Sequence, residues 1–334
     1  MKNINVKKTL LIFFVLFAFI IAVDVLFLKD DSFEGRYLKM DTTITVKGFG
    51  TDMDLATRDI LKEIDNIDSY MNAHNTKSNL YLLNTQKQAP YHKDTADLIT
   101  LAEEVSAKSE NAFSIKIKPV LDCWGIGTNS PAVPDEQKLR DALVEYENTE
   151  ITINNKTISL NQGKIDLGGI AKGYSTDKAL EVLKKYKNID YAILDFGGNI
   201  LTYGKKPDGS KFKIGIDDGK DGIFATIAVD NAFIITSGGY ERYFEQDGEK
   251  YHHIIDPSTG YPAKSGLVSA TIVSDNGALG DALSTACYVL GAEKGIKLAE
   301  SYGVGAIFLD ENNKVYVVGN LDITLTSDEY KIVN

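Results

Sequence analysis

The sequence predicts an α+β protein, a body of interleaved helices and antiparallel strands behind an N-terminal membrane-anchor helix. Two patterns predict the body. Segments with apolar residues at helical spacing are interspersed with short β-branched runs, and the order is irregular, without the regular strand–helix–strand rhythm of a parallel array. A third observation predicts the anchor. Lys2, Lys7 and Lys8 precede an apolar run from Leu10 to Val23, which continues past Asp24 as Val25-Leu26-Phe27-Leu28. Asp30, Asp31 and Glu34 follow, so the basic side faces the cytoplasm and the body lies outside, at the extracytoplasmic face of the cell membrane. With Asp24 counted in, the stretch is about long enough to span a bilayer. The expected division is an anchor over 1–28, a polar link over 29–36 and one body over 37–334.

Ala18 and Ala22 are small, but no convincing cleavage site accompanies them, so an uncleaved anchor is preferred to a removed signal peptide. No cysteine stands just after the run, which excludes a lipid-modified one. The two cysteines, Cys123 and Cys287, each lie in apolar surroundings. Two buried thiols is the simpler reading, and a disulfide stays open in an oxidising compartment. No Cys/His cluster of zinc-binding type is present. The 334 residues, 43% hydrophobic and 25% charged, have the composition of a globular protein. A net charge of −11 argues against nucleic acid, which requires a basic footprint. An acidic chain that handles a phosphorylated ligand needs a local device for the anion, such as a metal ion or a helix N-terminus.

Along the body, Tyr37 to Val46 reads as a strand, and Leu61, Ile64, Ile67 and Met71 mark a helix from Met53 to Tyr70. Further helices are expected at Asp94–Ser109 and Asp135–Glu147, then a hairpin of Ile151–Ile153 with Thr157–Leu160. A glycine-rich turn, Lys164 to Gly173, opens a helix running to about Lys187. Strands follow at Tyr191–Leu194, Lys213–Ile216, Ala225–Val229, Ala232–Thr236 and Val268–Val273. Helices Asp281–Leu290 and Ala292–Tyr302 precede a last hairpin, Ala306–Leu309 with Val315–Val318, turned at Asn312-Asn313.

Five stretches could carry chemistry. In Asp166-Leu-Gly-Gly-Ile-Ala-Lys-Gly173 the glycines let backbone approach a phosphate, the following helix directs N–H groups at it, and Lys172 adds charge. The loop matches neither the P-loop nor the dinucleotide fingerprint, and a purely structural turn is the alternative. Asp195-Phe-Gly-Gly-Asn199 and Thr236-Ser-Gly-Gly-Tyr-Glu-Arg242 each follow a predicted strand. Paired glycines there serve as bulges or turns as often as ligand loops, but three such loops point to convergence on one ligand. In His252-His253-Ile-Ile-Asp-Pro-Ser-Thr-Gly260 one histidine could act as acid, base or phosphate ligand, against two exposed loop histidines. Asp281 and Thr285 share a helix face, a hard-cation arrangement if the aspartate is not simply an N-cap.

Taken together, these residues resemble the ApbE family, the FAD:protein FMN transferases. The resemblance covers nearly the whole chain after the anchor. Its pieces are Met40-Asp41-Thr42, Met71 to Asn84, Ala112-Phe113-Ser114 with Pro119 and Trp124 to Gly127, Asp166 to Tyr174, Gly197 to Asn199, Thr236 to Tyr240, His253 to Pro262 and Asp281 to Ala286. The family fold it implies is a T-fold-related α+β body. The resemblance implies that Met40, His74, Ala112, Phe113 and Ser114 line the flavin and adenosine, that Asp166 and Lys172 hold FAD, and that Ile254 lies beside the ligand. It implies Mg²⁺ bound by the Gly169 carbonyl, Asp281 and Thr285, and a functionally essential His253. FAD is then the substrate, and the partner is an exported acceptor protein with a Thr or Ser in a flavinylation motif. Four positions depart from the family pattern: Asp41 where Gly is frequent, Ser114 where Asp is common, Asn72 where Ser is common, and His74 where an aromatic is usual. The competing expectations are an FAD pyrophosphatase and a non-catalytic flavin-binding surface protein.

Overall fold

Nine strands cross one sheet in chain order, each beside its sequence neighbour. The structure, a computed structural model, describes residues 31–220 and 222–333, so the anchor predicted over 1–28 lies outside the described residues. The sheet strands are β1 (Ser32–Lys39), β2 (Thr42–Phe49), β3 (Tyr191–Phe196), β4 (Asn199–Gly204), β5 (Phe233–Gly238), β6 (Leu267–Ser274), β7 (Gly305–Asp310), β8 (Lys314–Val318) and β9 (Lys331–Val333). Neighbours are antiparallel up to β8, and β9 joins parallel. Between β2 and β3 come helices α1 (Met53–Met71), α2 (Asn79–Gln86), α3 (Lys93–Lys108), α4 (Lys118–Trp124), α5 (Glu136–Glu147) and α6 (Ala171–Leu183), and α7 (Gly277–Tyr302) joins β6 to β7.

Because side chains alternate across a pleated sheet, the strands bury two different faces. Ile44, Val46, Ala192, Leu194 and Phe196 turn toward Ile60 and Ile64 of α1 and Leu183 of α6. Ala270, Ile272 and Phe308 continue that face against Ala282, Leu283 and Ala286 of α7. On the opposite face Ile193, Ile200, Ile234 and Ile307 meet Phe212, Ile214, Phe224 and Ile227. Those residues belong to a three-stranded sheet of Phe212–Asp217, Ile223–Val229 and Asp322–Leu325. The body is therefore helices on sheet on sheet. A separate cluster around fully buried Trp124 joins α4 and α5 to a hairpin, Tyr243–Gln246 with Glu249–His252.

Several expectations are met closely, among them α1, α3, α5, the Ile151–Ile153 hairpin and the break at Gly291, where φ of 77° interrupts α7. Others change. The single strand expected over Tyr37–Val46 is the β1–β2 hairpin, turned at Met40 and Asp41 with φ of 51° and 54°. Its first strand starts at Ser32, inside the stretch read as a polar link. A turn built from two positive-φ residues carries no glycine signal here, so it was invisible to pattern reading. The helix expected to reach Lys187 ends at Leu183. Both cysteines are free thiols, Cys287 buried and Cys123 half-buried. No helix among the described residues is long and apolar enough to cross a membrane.

Candidate functional site

The site is built on the crossing of α6 and α7 at their N-terminal turns. Gly173 and Gly277 meet there without side chains: a Cβ on Gly173 would stand 2.1 Å from the Gly277 carbonyl oxygen, and one on Gly277 2.3 Å from that of Gly173. The opening amides of a helix lack intrahelical acceptors, and its N-terminus favours negative charge. Each helix supplies the other with an aspartate. Asp281 Oδ2 accepts the Gly173 N–H at 2.8 Å, while Asp177 accepts those of Gly277 and Ala278 at 2.6 and 2.8 Å. Burial pushes the Asp177 carboxyl up to about 6 despite these bonds.

Asp281 is only 4% exposed. Burial pushes its carboxyl up, opposed by Lys172, the Gly173 amide and the Asn199 side chain. Asn199 is itself fully buried, yet neither of its amide atoms makes a hydrogen bond of normal geometry. Thr285, one turn along α7, places Oγ1 3.2 Å from Ser237 Oγ, which also meets Ser284 Oγ at 2.8 Å. Gly169 lies alongside, since a Cβ there would be 3.8 Å from Thr285 Oγ1 and 3.1 Å from the Phe113 ring. A buried carboxylate, a hydroxyl, a main-chain position and an under-bonded amide thus collect in one place. Hard divalent cations take such oxygen sets, so the residues present fit one. Among the described residues no three His, Cys, Asp or Glu converge as a ready metal cluster.

The three glycine loops do converge. Lys172 Nζ donates to the Gly197 carbonyl at 3.3 Å, tying the start of α6 to the β3–β4 turn. In that turn Asp195 Oδ1 accepts the Gly198 N–H at 2.9 Å, and the Gly198 carbonyl accepts from Thr236 at the end of β5. Asp166 shapes its own loop, because its Oδ1 accepts the Gly168 N–H at 2.7 Å and its N–H donates to Ile115. Asn84 clamps the adjoining Ile165 with both amide atoms.

The two histidines separate by environment. His253 directs its main-chain N–H and Nδ1 at the Arg242 carbonyl, at 3.0 and 3.2 Å. A carbonyl only accepts, so Nδ1 carries the hydrogen and Nε2 keeps a lone pair. Burial pushes this imidazole down to about 4; the charges of Arg242, His252 and Lys172 act in the same direction and the Arg242 carbonyl against it. It is therefore neutral at physiological pH. His252 instead donates from Nε2 to Ala263 and meets Tyr288 edge-on, and is built into the protein.

The remaining predicted residues are dispersed around this centre. Met40 sits in the β1–β2 turn, its sulfur 3.3 Å from Ser175 of α6. Ala112, Phe113, Ser114 and Ile254 are buried, and Ser114 Oγ accepts from Lys116 to cap a one-turn helix. His74 is exposed on the loop after α1, bonded through its main chain to Asn72. No described hydrogen bond or ring contact joins it to the Asp281 group. The sequence does not single out Asp177 or Ser237 by role. The partners of Asp177 are 100 residues distant in sequence, so only the fold reveals it.

Comparison with known proteins identifies the family of this chain. The ApbE family profile matches residues 40–308. An FAD:protein FMN transferase of Klebsiella pneumoniae is 30% identical over 284 residues, 83% of this chain and 88% of that protein. One from Treponema pallidum is 34% identical over 271 residues, 73% and 74% of the two chains. Among solved structures, the ApbE protein of Thermotoga maritima superimposes with a TM-score of 0.77 at 29% identity, covering 87% of this chain and 96% of that one. The apo flavinyl transferase ApbE of Pseudomonas stutzeri gives 0.74 at 26% identity, covering 89% and 95%. The chain belongs to the ApbE family.

Proposed function

We propose that this protein is an FAD:protein FMN transferase, moving the FMN part of FAD onto a Thr or Ser hydroxyl of an exported acceptor protein and releasing AMP. The observation that carries the reading is the gathering of Asp281, Thr285, Gly169 and Lys172 at the N-terminus of α6 in a chain of this family. The helix end and Lys172 attract the FAD pyrophosphate. Asp281, Thr285 and the Gly169 carbonyl would hold Mg²⁺, which when bound supplies charge neutralisation on the pyrophosphate and makes AMP a better leaving group. The free Nε2 of neutral His253 accepts a hydrogen bond from the incoming hydroxyl and orients it. The acceptor oxygen then attacks the FMN-side phosphorus, and the bond to the AMP phosphate breaks.

The test is AMP release from FAD and Mg²⁺ with and without a threonine-bearing acceptor domain. AMP is expected to rise with acceptor, one per FMN attached. Acceptor-independent AMP with free FMN would replace the reading by an FAD pyrophosphatase. The reading also includes an anchor at residues 1–28 that holds the body outside the cell membrane, supported by Lys2, Lys7 and Lys8 ahead of the apolar run. Alkaline carbonate extraction is expected to leave the full chain with the membranes, its body open to protease added outside. Release into the supernatant would remove the anchor.

A further inference from the structure

A short hairpin leads out from the centre with one of its edges unused. Its strands, Tyr243–Gln246 and Glu249–His252, pair only with each other. The His253 N–H joins the Arg242 carbonyl at 3.0 Å, so the base of the hairpin lies at the histidine centre. The tip is a two-residue turn, Asp247 and Gly248 with φ of 54° and 82°. With Gln246 opposite Glu249 at the turn and Arg242 bonded to His253 at the base, the ladder bonds between them fall on Phe244 and Tyr251. The main-chain N–H and C=O groups of Tyr243 and Glu245 therefore point outward on one edge, and those of Lys250 and His252 on the other. One face rests on Trp124 through Phe244 and Tyr251, while Tyr243, Glu245 and Lys250 are exposed.

The two edges differ. The second is closed just beyond His252, where Ala263 donates to the Ile254 carbonyl and Ile255 bridges to Pro262. On the first, no described hydrogen bond reaches the main chain of Tyr243 or Glu245. Exposed edges are usually blunted by lysine, proline or a bulge. Tyr243-Phe-Glu-Gln246 carries none of these and keeps an unbroken register.

Resting on the flavin-transfer reading, we propose that this open edge, at Tyr243 and Glu245, is where the acceptor protein docks, its segment carrying the target Thr or Ser adding as a third strand. The occupant follows from where the edge ends. The hydroxyl has to reach the phosphorus beside His253, so the peptide that bears it crosses the surface at the base of this hairpin. Antiparallel pairing is the more stable per residue, and an antiparallel segment runs toward the centre, with the target hydroxyl on the C-terminal side of the docked stretch. One residue beyond the partner of Tyr243, at about 3.3 Å per residue, it comes level with Arg242 and His253. The segment exchanges N–H and C=O bonds with Tyr243 and Glu245, and main-chain bonds of this kind hold an extended peptide whatever its side chains. Tyr243, 47% exposed with Lys250 Nζ 3.6 Å from its ring centre, meets the side chains at alternate positions. A third strand also steadies a two-stranded hairpin, which is marginal alone, and with it the Arg242 carbonyl that orients His253.

The test compares the full chain with Glu245→Pro, which removes an outward N–H from the proposed edge, and Lys250→Pro, which makes the same change on the opposite edge. Neither amide belongs to the hairpin's own ladder, and outward edge positions tolerate proline. FMN transfer to a threonine-bearing acceptor domain is followed across acceptor concentrations at saturating FAD and Mg²⁺. Glu245→Pro is expected to raise the acceptor KM about tenfold or more, with kcat and FAD binding within about threefold of the parent. Lys250→Pro is expected to leave all three within about threefold. A second measurement uses the parent chain alone: hydrogen exchange at the Tyr243 and Glu245 amides is expected to slow when the same acceptor domain, its target Thr→Val, is added. An unchanged acceptor KM in Glu245→Pro would overturn the proposal. So would equal effects of the two prolines, or protection that falls on β1 or Lys250 instead. A parent protein that attaches no FMN to the acceptor would remove the flavin-transfer reading itself, whereas transfer with an indifferent edge removes only the docking site.

Discussion

Asp281→Asn is expected to lower the transfer rate by about 10³-fold while leaving the fold intact or more stable. Asparagine matches the shape of aspartate, and its Oδ1 can accept the same Gly173 N–H that Asp281 accepts at 2.8 Å. What it lacks is the charge. Burial raises the native Asp281 carboxyl above its ordinary 3.8. The native state therefore holds a proton that the unfolded chain has lost, from about pH 3.8 up to the raised native value. Over that window stability falls as pH rises, and above it the penalty of the buried charge is complete. In EDTA at neutral pH the Asn protein should melt at or above the parent temperature, and the difference should shrink on acidification. Added Mg²⁺ should raise the melting temperature of the parent alone, because only a site that binds the ion in the native state gains from mass action. A variant several degrees less stable in EDTA would show that the carboxylate serves packing rather than a cation.

Gly173→Ala attacks the same centre through the backbone. The new Cβ would lie 2.1 Å from the Gly277 oxygen, 2.6 Å from its carbonyl carbon and 2.7 Å from Asp281 Cβ. No rotamer change relieves contacts with main-chain atoms, so α6 and α7 must separate. Overpacking of this kind is expected to cost about 3 kcal/mol or more, a fall of roughly 5–10 °C in melting temperature. Asp281 would move off the N-terminus of α6, so the Mg²⁺ response should disappear with the stability. An unchanged melting curve would mean that the helices slide apart freely, and that their close crossing does not position the site.

The parts legible in the sequence are those encoded by local periodicity or by compact motifs. The stripe of Leu61, Ile64, Ile67 and Met71 marks α1 within a residue of its ends, although at the first of these turns the fully buried side chain is Ile60 rather than Leu61. Gly291 marks the break in α7 because left-handed backbone at that point favours a glycine. Convergence of the three glycine loops is also legible, from the presence of three such loops in one chain, two of them at strand ends. The β1–β2 turn was not, since Met40 and Asp41 adopt positive φ without the residues that usually announce it. Nor was the reciprocal capping of α6 and α7, because the Asp177 and Asp281 contacts each span about a third of the chain. The chemistry of the two histidines was equally hidden. Adjacent in sequence, they differ because Arg242 offers its carbonyl to one and Ala263 to the other.

The most direct test of the central claim is the intact mass of a threonine-containing acceptor domain after incubation with FAD, Mg²⁺ and this protein, beside the Asp281→Asn variant. The account predicts an acceptor heavier by one FMN with the parent protein, and an unmodified acceptor with the variant over the same time. An acceptor that stays unmodified while FAD is split to free FMN and AMP, or one modified equally by the variant, would contradict it.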